Sequence, residues 1–214
     1  MPFPEGKPSL VYWDLCGRAD IAKCMFLAGE IEHELDTDNA NNWPGYKTEC
    51  PFEQVPILHH GDLTLAQGGA INRYIARMGG LYPEDPVDAS YCDMVMDGIM
   101  DMFGGIFAPK KAETKEAKLA AWKTFTEGHV TKYFGFFEKL LKGTYFGGEK
   151  ANAADVAFYA VIGIMIHAEC GVEEVLAKFP KLQAAYDGTK NTGKLAEFKR
   201  GGHYFSANPE NAAF

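Results

Sequence analysis

The sequence predicts two structural units in series, an α/β N-terminal domain followed by an all-α C-terminal domain. Three observations carry this. Across residues 1–79, short β-branched and aromatic runs alternate with amphipathic stretches in the order β-α-β-α-β-β-α. Residues 80–88 collect Gly80, Pro83 and Pro86 with acidic neighbours, the composition of a linker. Across residues 89–214 the strand signals vanish and helical spacing of apolar residues takes over.

Residues 9–13, Ser-Leu-Val-Tyr-Trp, suit a strand. Residues 18–28 suit a helix with Ile21, Ala22, Met25 and Phe26 on one face, and residues 32–36 a second strand. A single helical turn is predicted over 43–47, where Trp43 and Lys47 at i and i+4 would share a face. Residues 57–59 and 63–65 flank His60-Gly61-Asp62, a hairpin signal. Residues 67–77 then suit a helix with Ala70, Ile71, Tyr74 and Ile75 inward. This order is compatible with a thioredoxin-like fold. In the second domain, helices are predicted over 89–107, 113–142, 153–170, 172–178 and 181–188, with a short one over 193–199. Asn152 and Asp155 have capping-box spacing at the start of the most apolar of these. The tail, 201–214, either folds over a neighbouring surface or stays loose.

Bulk properties narrow the function classes. With 29 acidic and 21 basic residues the net charge is −8, and no Lys/Arg block appears, which argues against a nucleic-acid partner. The five cysteines are odd in number, widely spaced and without a C-x-x-C pair, so neither a disulfide framework nor a zinc site fits, and no metal is expected. The longest apolar stretch, 156–166, is about half a transmembrane span, and the first seven residues lack a signal-peptide core. A cytoplasmic protein without membrane insertion is expected.

The most informative dipeptide is Val55-Pro56, directly before a short apolar run. Proline cannot donate to a ladder, and an X-Pro bond turns cis at modest cost. If cis, it would turn the backbone of Val55 outward for strand-like pairing with a peptide ligand. Tyr12 at the end of the first strand is either a packing residue or a hydroxyl donor lining a ligand crevice. Gln67-Gly68-Gly69 opens a helix whose free N–H groups suit a carboxylate. Asp93, Asp97 and Asp101 recur every four residues, either as a solvated acidic face or facing a cation that offsets their repulsion. Met94, Met96, Met100 and Met102 suit core gaps, with one or two in a pocket beside Phe103 and Phe107. Cys16, just before the first predicted helix, is a candidate thiol-transfer nucleophile.

Taken in order, these segments resemble the cytosolic glutathione transferases, most closely the sigma class, which includes glutathione-dependent prostaglandin D synthase. The carrying residues are Tyr12-Trp13-x-x-x-Gly17-Arg18-Ala19-Asp20, Trp43-Pro44-x-x-Lys47, Pro51-Phe52-x-x-Val55-Pro56-Ile57-Leu58, Leu63-Thr64-Leu65-x-Gln67-x-x-Ala70-Ile71-x-Arg73-Tyr74, the Asp93/Asp97/Asp101 repeat and Asn152-x-x-Asp155. The resemblance implies glutathione transferase architecture and a homodimer that joins glutathione, as co-substrate, to small hydrophobic electrophiles. It implies that Tyr12 hydrogen-bonds the glutathione sulfur, supported by Arg18. Val55 would pair with the cysteinyl unit, with Pro56 cis. Gln67 and the N–H of Gly68 would hold the γ-glutamyl carboxylate, and Trp43, Lys47 and Gln54 the glycyl end. Asp101, or Asp97 in its place, would reach the γ-glutamyl ammonium across the dimer. Trp13 would border both ligands, with Met100, Phe103 and Phe107 completing the electrophile site.

The chemistry is consistent with these roles. A thiol with a reference pKa of about 8.5 is mostly protonated at pH 7, and lowering it by two units needs about 2.7 kcal/mol. One hydrogen bond to the anion supplies about 1.5–3 kcal/mol. The departure from the family pattern is Gly68, where the family has serine: the N–H remains and the hydroxyl is lost. Three alternatives stay open: a glutathione-dependent isomerase of the prostaglandin D synthase type, a non-catalytic binding or structural protein, and a Cys16 thiol transferase.

Overall fold

Alternation along two short strands sets which face of the N-terminal sheet meets which helices. In the computed structural model, which describes residues 3–110 and 113–202, β1 (Ser9–Val11) lies between β2 (Glu34–Asp36) and β3 (Ile57–His60), with β4 (Leu63–Ala66) outside β3. β1 runs parallel to β2 and antiparallel to β3, and β3 antiparallel to β4. Leu10 sits opposite Leu58, and both enter the main core with α1 (Asp20–Ala28) and α4 (Gly68–Met78). Val11 sits opposite Ile57, and both point the other way onto Ala40, Tyr46 and Cys50. Those three belong to α2 (Thr37–Asn41), α3 (Trp43–Tyr46) and the 3-10 turn Lys47–Glu49 with its C-terminal cap. The sheet is therefore covered on both faces, as the thioredoxin-like order predicts.

Boundaries shift where local chemistry was read too coarsely. α1 starts at Asp20 rather than residue 18, because the Asp20 Oδ1 accepts the Gly17 N–H at 3.3 Å and holds 17–19 as a turn. The hairpin loop is the two residues Gly61-Asp62, with Gly61 at φ +56, the left-handed conformation a tight hairpin demands. α5 (Pro86–Gly104) begins inside the predicted 80–88 linker. The Asp85 side chain caps the N–H groups of Val87 and Asp88, and Pro86 takes the first helical turn.

The predicted helix over 113–142 forms as one helical run. It comprises α7 (Lys115–Thr124), a π-helical turn (Phe125–Val130) and α8 (Thr131–Leu140). α6 (Phe107–Lys110) precedes it. α9 (Ala153–His167) buries thirteen consecutive residues, Ala153 through Met165, so its apolar character on all sides reflects a central position. It packs on both α1 and α5 and joins the two layers into one core. α10 (Val172–Leu176), α11 (Pro180–Thr189) and the 3-10 turn Leu195–Glu197 complete the fold. Of the tail, Gly201 and Gly202 are described, Gly202 bridging to Leu15, and the remainder lies outside the described residues. No helix among the described residues is long and apolar enough to cross a membrane.

Candidate functional site

Two adjoining cavities open where the sheet domain meets α5. The first, about 280 Å³, runs along the N-terminus of α4 and is lined by Gln54, Val55, Pro56 and by Gln67, Gly68, Gly69 and Asn72 at and after that terminus, with Asp97 and Met100 contributed by α5. The second, about 320 Å³, is aromatic: Tyr12, Trp13, Trp43, Phe103 and Phe107 line it, with Glu53 at the rim. Arg18, Gln54 and Val55 border both, so the two are halves of one cleft.

The Val55–Pro56 peptide bond is cis. Among the described residues, no backbone–backbone hydrogen bond outside the helices and strands uses the N–H or C=O of Val55, which lies just before β3. Gln67 adopts φ +72, a left-handed conformation that is unusual for a side chain of its kind and that places its backbone at the mouth of α4. A Cβ on Gly68 would meet no atom within 4 Å, so the space at that position is open.

Tyr12 follows β1 directly and is buried, with its hydroxyl accepting the Arg18 N–H at 3.2 Å. A Cβ on Gly17 would stand 2.8 Å from that hydroxyl, so glycine there is what lets the loop close over the ring. The Arg18 guanidinium lies 5.4 Å from the centre of the Phe107 ring, across the cleft. Trp13 packs edge-on against both Tyr12 and Trp43, forming the aromatic wall.

The acidic repeat has its cation. Arg73 on α4 donates from Nε to Asp93 and from Nη2 to Asp97, each at 2.6 Å, and the Tyr82 hydroxyl donates to Asp93 at 2.9 Å. Asp101 is exposed and lines neither cavity, whereas Asp97 does. Lys47 also lies outside both cavities and pairs with Glu53 at 3.3 Å. Of the methionines, Met96 and Met102 are core, Met100 faces the cleft and Met94 is exposed.

The candidacy of Cys16 fails on geometry. It stands four residues before the true start of α1, is buried, and lines neither cavity. Burial, followed by the neighbouring Asp20 carboxylate, pushes its thiol far above the ordinary range, the opposite of thiolate activation. Asn72 was missed by pattern reading. The buried face of α4 is Ile71, Asn72, Ile75 and Ala76, rotated from the predicted one, and Ala70 is exposed. The spacing 72, 75, 76 was the available signal, a polar residue on an apolar face. Among the described residues no group of three or more His, Cys, Asp or Glu is placed to hold a metal ion.

Comparison with known proteins shows the family of both halves of the chain. The family model "Glutathione S-transferase, N-terminal domain" matches residues 9–77, and "Glutathione S-transferase, C-terminal domain" matches 100–200. The chain belongs to the glutathione S-transferase family. This transferase-family chain is 30% identical to a glutathione S-transferase of Plasmodium falciparum, over 88% of its own length and 93% of that relative's. It is 36% identical to the hematopoietic prostaglandin D synthase of Gallus gallus over 50% of this chain and 54% of that one. A solved structure of prostaglandin synthase D from Nilaparvata lugens superposes with a TM-score of 0.75 at 21% identity, covering 90% of this chain and 96% of that one, a likeness of fold.

Proposed function

We propose that this member of the glutathione S-transferase family joins the glutathione thiolate to hydrophobic electrophiles, with Tyr12 as hydrogen-bond donor to the sulfur. The observation that carries the reading is the position of the Tyr12 hydroxyl. Tyr12 lines the aromatic half of the cleft, and its hydroxyl lies 3.2 Å from the N–H of Arg18, a residue that borders both halves. A hydroxyl that accepts a backbone N–H is polarised to donate its own proton to an anion. In this reading the outward backbone of Val55, preceding cis Pro56, pairs with the cysteinyl unit. Gln67 and the Gly68 N–H at the positive end of α4 take the γ-glutamyl carboxylate. Trp43 and Gln54 border the glycyl end, and Lys47 meets its carboxylate by leaving Glu53, an exchange that is inexpensive because both partners are exposed. Trp13, Phe103 and Phe107 wall the electrophile, whereas Met100, expected beside them, lines the polar half instead. Asp101 belongs to the same proposal as a residue offered across a homodimer to the ammonium of the partner's glutathione, in a cytoplasmic, sigma-class enzyme.

A prostaglandin D synthase type of isomerisation at the same site is the second reading, favoured by the half-chain match to the Gallus gallus protein. The test of the first is turnover of glutathione with an activated aryl chloride. Tyr12→Phe is expected to lower kcat/KM by roughly 10- to 150-fold, the range of one hydrogen bond to an anion. Cys16→Ser is expected to leave it unchanged. Loss of conjugation in the serine variant with none in the phenylalanine variant would overturn the mechanism. Absence of turnover in the parent, with glutathione still bound, would leave a binding protein.

A further inference from the structure

The segment that carries Trp43 and Lys47 has little of its own to hold it. α3 is a single turn, its N-cap Asn42 makes no side-chain cap bond, and Lys47 opens the 3-10 turn that follows. An isolated turn of this length is unstable in water, so contacts from outside decide where it stands. Tyr46, at its end, supplies them. It is 6% exposed and packs with Val11, Ala40, Cys50 and Ile57 against the sheet. Its hydroxyl lies 2.6 Å from Nε2 of His59 on β3, and Nδ1 of the same ring lies 3.0 Å from the Thr64 Oγ1 on β4. His59 and Thr64 pair directly across the hairpin, and His59 stands two residues from Ile57, on the sheet face that Tyr46 covers. Burial, and after it the neighbouring Cys50, Asp36 and Glu49, pushes the Tyr46 hydroxyl up to about 12, so it keeps its proton for a ring nitrogen to accept. Tyr46, His59 and Thr64 therefore tie one helical turn to two strands. Three residues before Tyr46, Trp43 lines the aromatic half of the cleft and meets Trp13 edge-on, with ring centres 6.0 Å apart.

We propose that Tyr46 and His59 are a positioning pair, whose hydrogen bond fixes α3 on the sheet so that Trp43 and Lys47 stand in place before the glycyl end of glutathione arrives. This rests on the glutathione reading above and deepens it. Neither residue lines either half of the cleft, so the pair acts through Trp43 and Lys47 and not by touching the ligand. A segment already ordered binds without the conformational cost that a loose one pays on association. Loss of the bond therefore weakens the hold on the part of the ligand that this segment meets, and leaves the rest of the ligand as it was.

The experiment is calorimetric titration of the full chain with glutathione and with γ-glutamyl-cysteine, which lacks the glycyl unit. The proteins are the parent, Tyr46→Phe, His59→Leu and the double variant, each checked by thermal melting. Tyr46→Phe keeps the ring in the core and removes the hydroxyl alone, so it carries the test if the leucine variants do not fold. The readout is the ratio of the two affinities, which general loosening of the fold does not move. Each single variant is expected to lower that ratio about three- to tenfold, the range of one hydrogen bond, and the double variant no further than either single one. A ratio near one in the parent, a ratio unchanged in Tyr46→Phe, or single effects that add in the double variant overturns the inference, while the parent's binding of glutathione keeps the proposed function. A parent that binds neither ligand overturns both.

Discussion

Gly68 is the residue at which this chain departs most consequentially from its family. Its backbone N–H stays at the mouth of α4, its φ is not in the left-handed region, and a side chain there would enter open space. Serine therefore fits without strain, and its hydroxyl would add one hydrogen bond to a bound carboxylate. Such a bond is worth about 1.5–3 kcal/mol, so Gly68→Ser is expected to tighten glutathione by roughly 10- to 150-fold in calorimetric titration. Equal affinities would mean that water already supplies the bond. This departure was visible in the sequence, because the Gln67 motif around it was intact. Asn72 was not, because pattern reading assigned the inward face of α4 from Ala70 and Tyr74, and the observed face is displaced by one residue, about 100° around the helix. The disqualification of Cys16 was equally out of reach, since it is buried in the core and its N–H is bonded to the carbonyl of Gly202, far along the chain.

At the scale of elements, the start of α9 carries more than a helix end. Asp155 accepts from three backbone N–H groups: Phe146 at 2.9 Å, Gly147 at 3.2 Å and Asn152 at 2.9 Å. Asn152 returns the bond to the N–H of Ala154 at 2.8 Å. The carboxylate therefore fixes both the helix and the loop that delivers it, and it is almost fully buried. Asp155→Ala leaves those donors unsatisfied and is expected to destabilise by roughly 2–4 kcal/mol in urea unfolding, with affinity for glutathione unchanged in the folded fraction. Asn152→Ala removes one cap bond and is expected to lose about 1 kcal/mol. A larger effect for Asn152 than for Asp155 would contradict this assignment. The capping-box spacing announced this element in the sequence, and the β-α-β-α-β-β-α order announced the sheet. The π-helical turn at Phe125–Val130 had no such signal: its widened turn lies inside an uninterrupted helical pattern, and helical spacing alone does not distinguish it.

At the scale of the molecule, the C-terminal segment reaches back to the loop that carries Tyr12. Arg200 lies against Asp20 with Nε 3.6 Å from Oδ2, and Lys23 approaches Oδ1 at 3.9 Å. Asp20 accepts the Gly17 N–H, and Gly17 lies against the Tyr12 hydroxyl. The Cys16 N–H donates to the Gly202 carbonyl at 2.8 Å. α9 makes room for this: a Cβ on Gly163 would collide with the Arg200 guanidinium. Asp20 is fully buried, and burial raises its carboxyl pKa above the usual value, opposed by Lys23 and then Arg200. Removing Arg200 leaves that charge less compensated, so Arg200→Met is expected to destabilise by about 3 kcal/mol at pH 8. The sign of the pH dependence follows from the direction of the shift. Asp20 binds its proton more tightly in the folded protein than in the unfolded one, so its contribution to stability falls as pH rises through its folded pKa. Without Arg200 that pKa moves higher still. The gap between Arg200→Met and the parent should therefore close as pH falls below both folded pKa values and open to its full size above them. Urea unfolding at about pH 3.5, below the ordinary carboxyl value and therefore below both raised ones, and at pH 8 reads this directly, and a gap that widens toward low pH would refute it. Hydrogen exchange supplies the structural half: the Cys16 amide should exchange faster in Arg200→Met and in Gly163→Ala, because each releases the strand-like bridge that ties the tail to the Tyr12 loop.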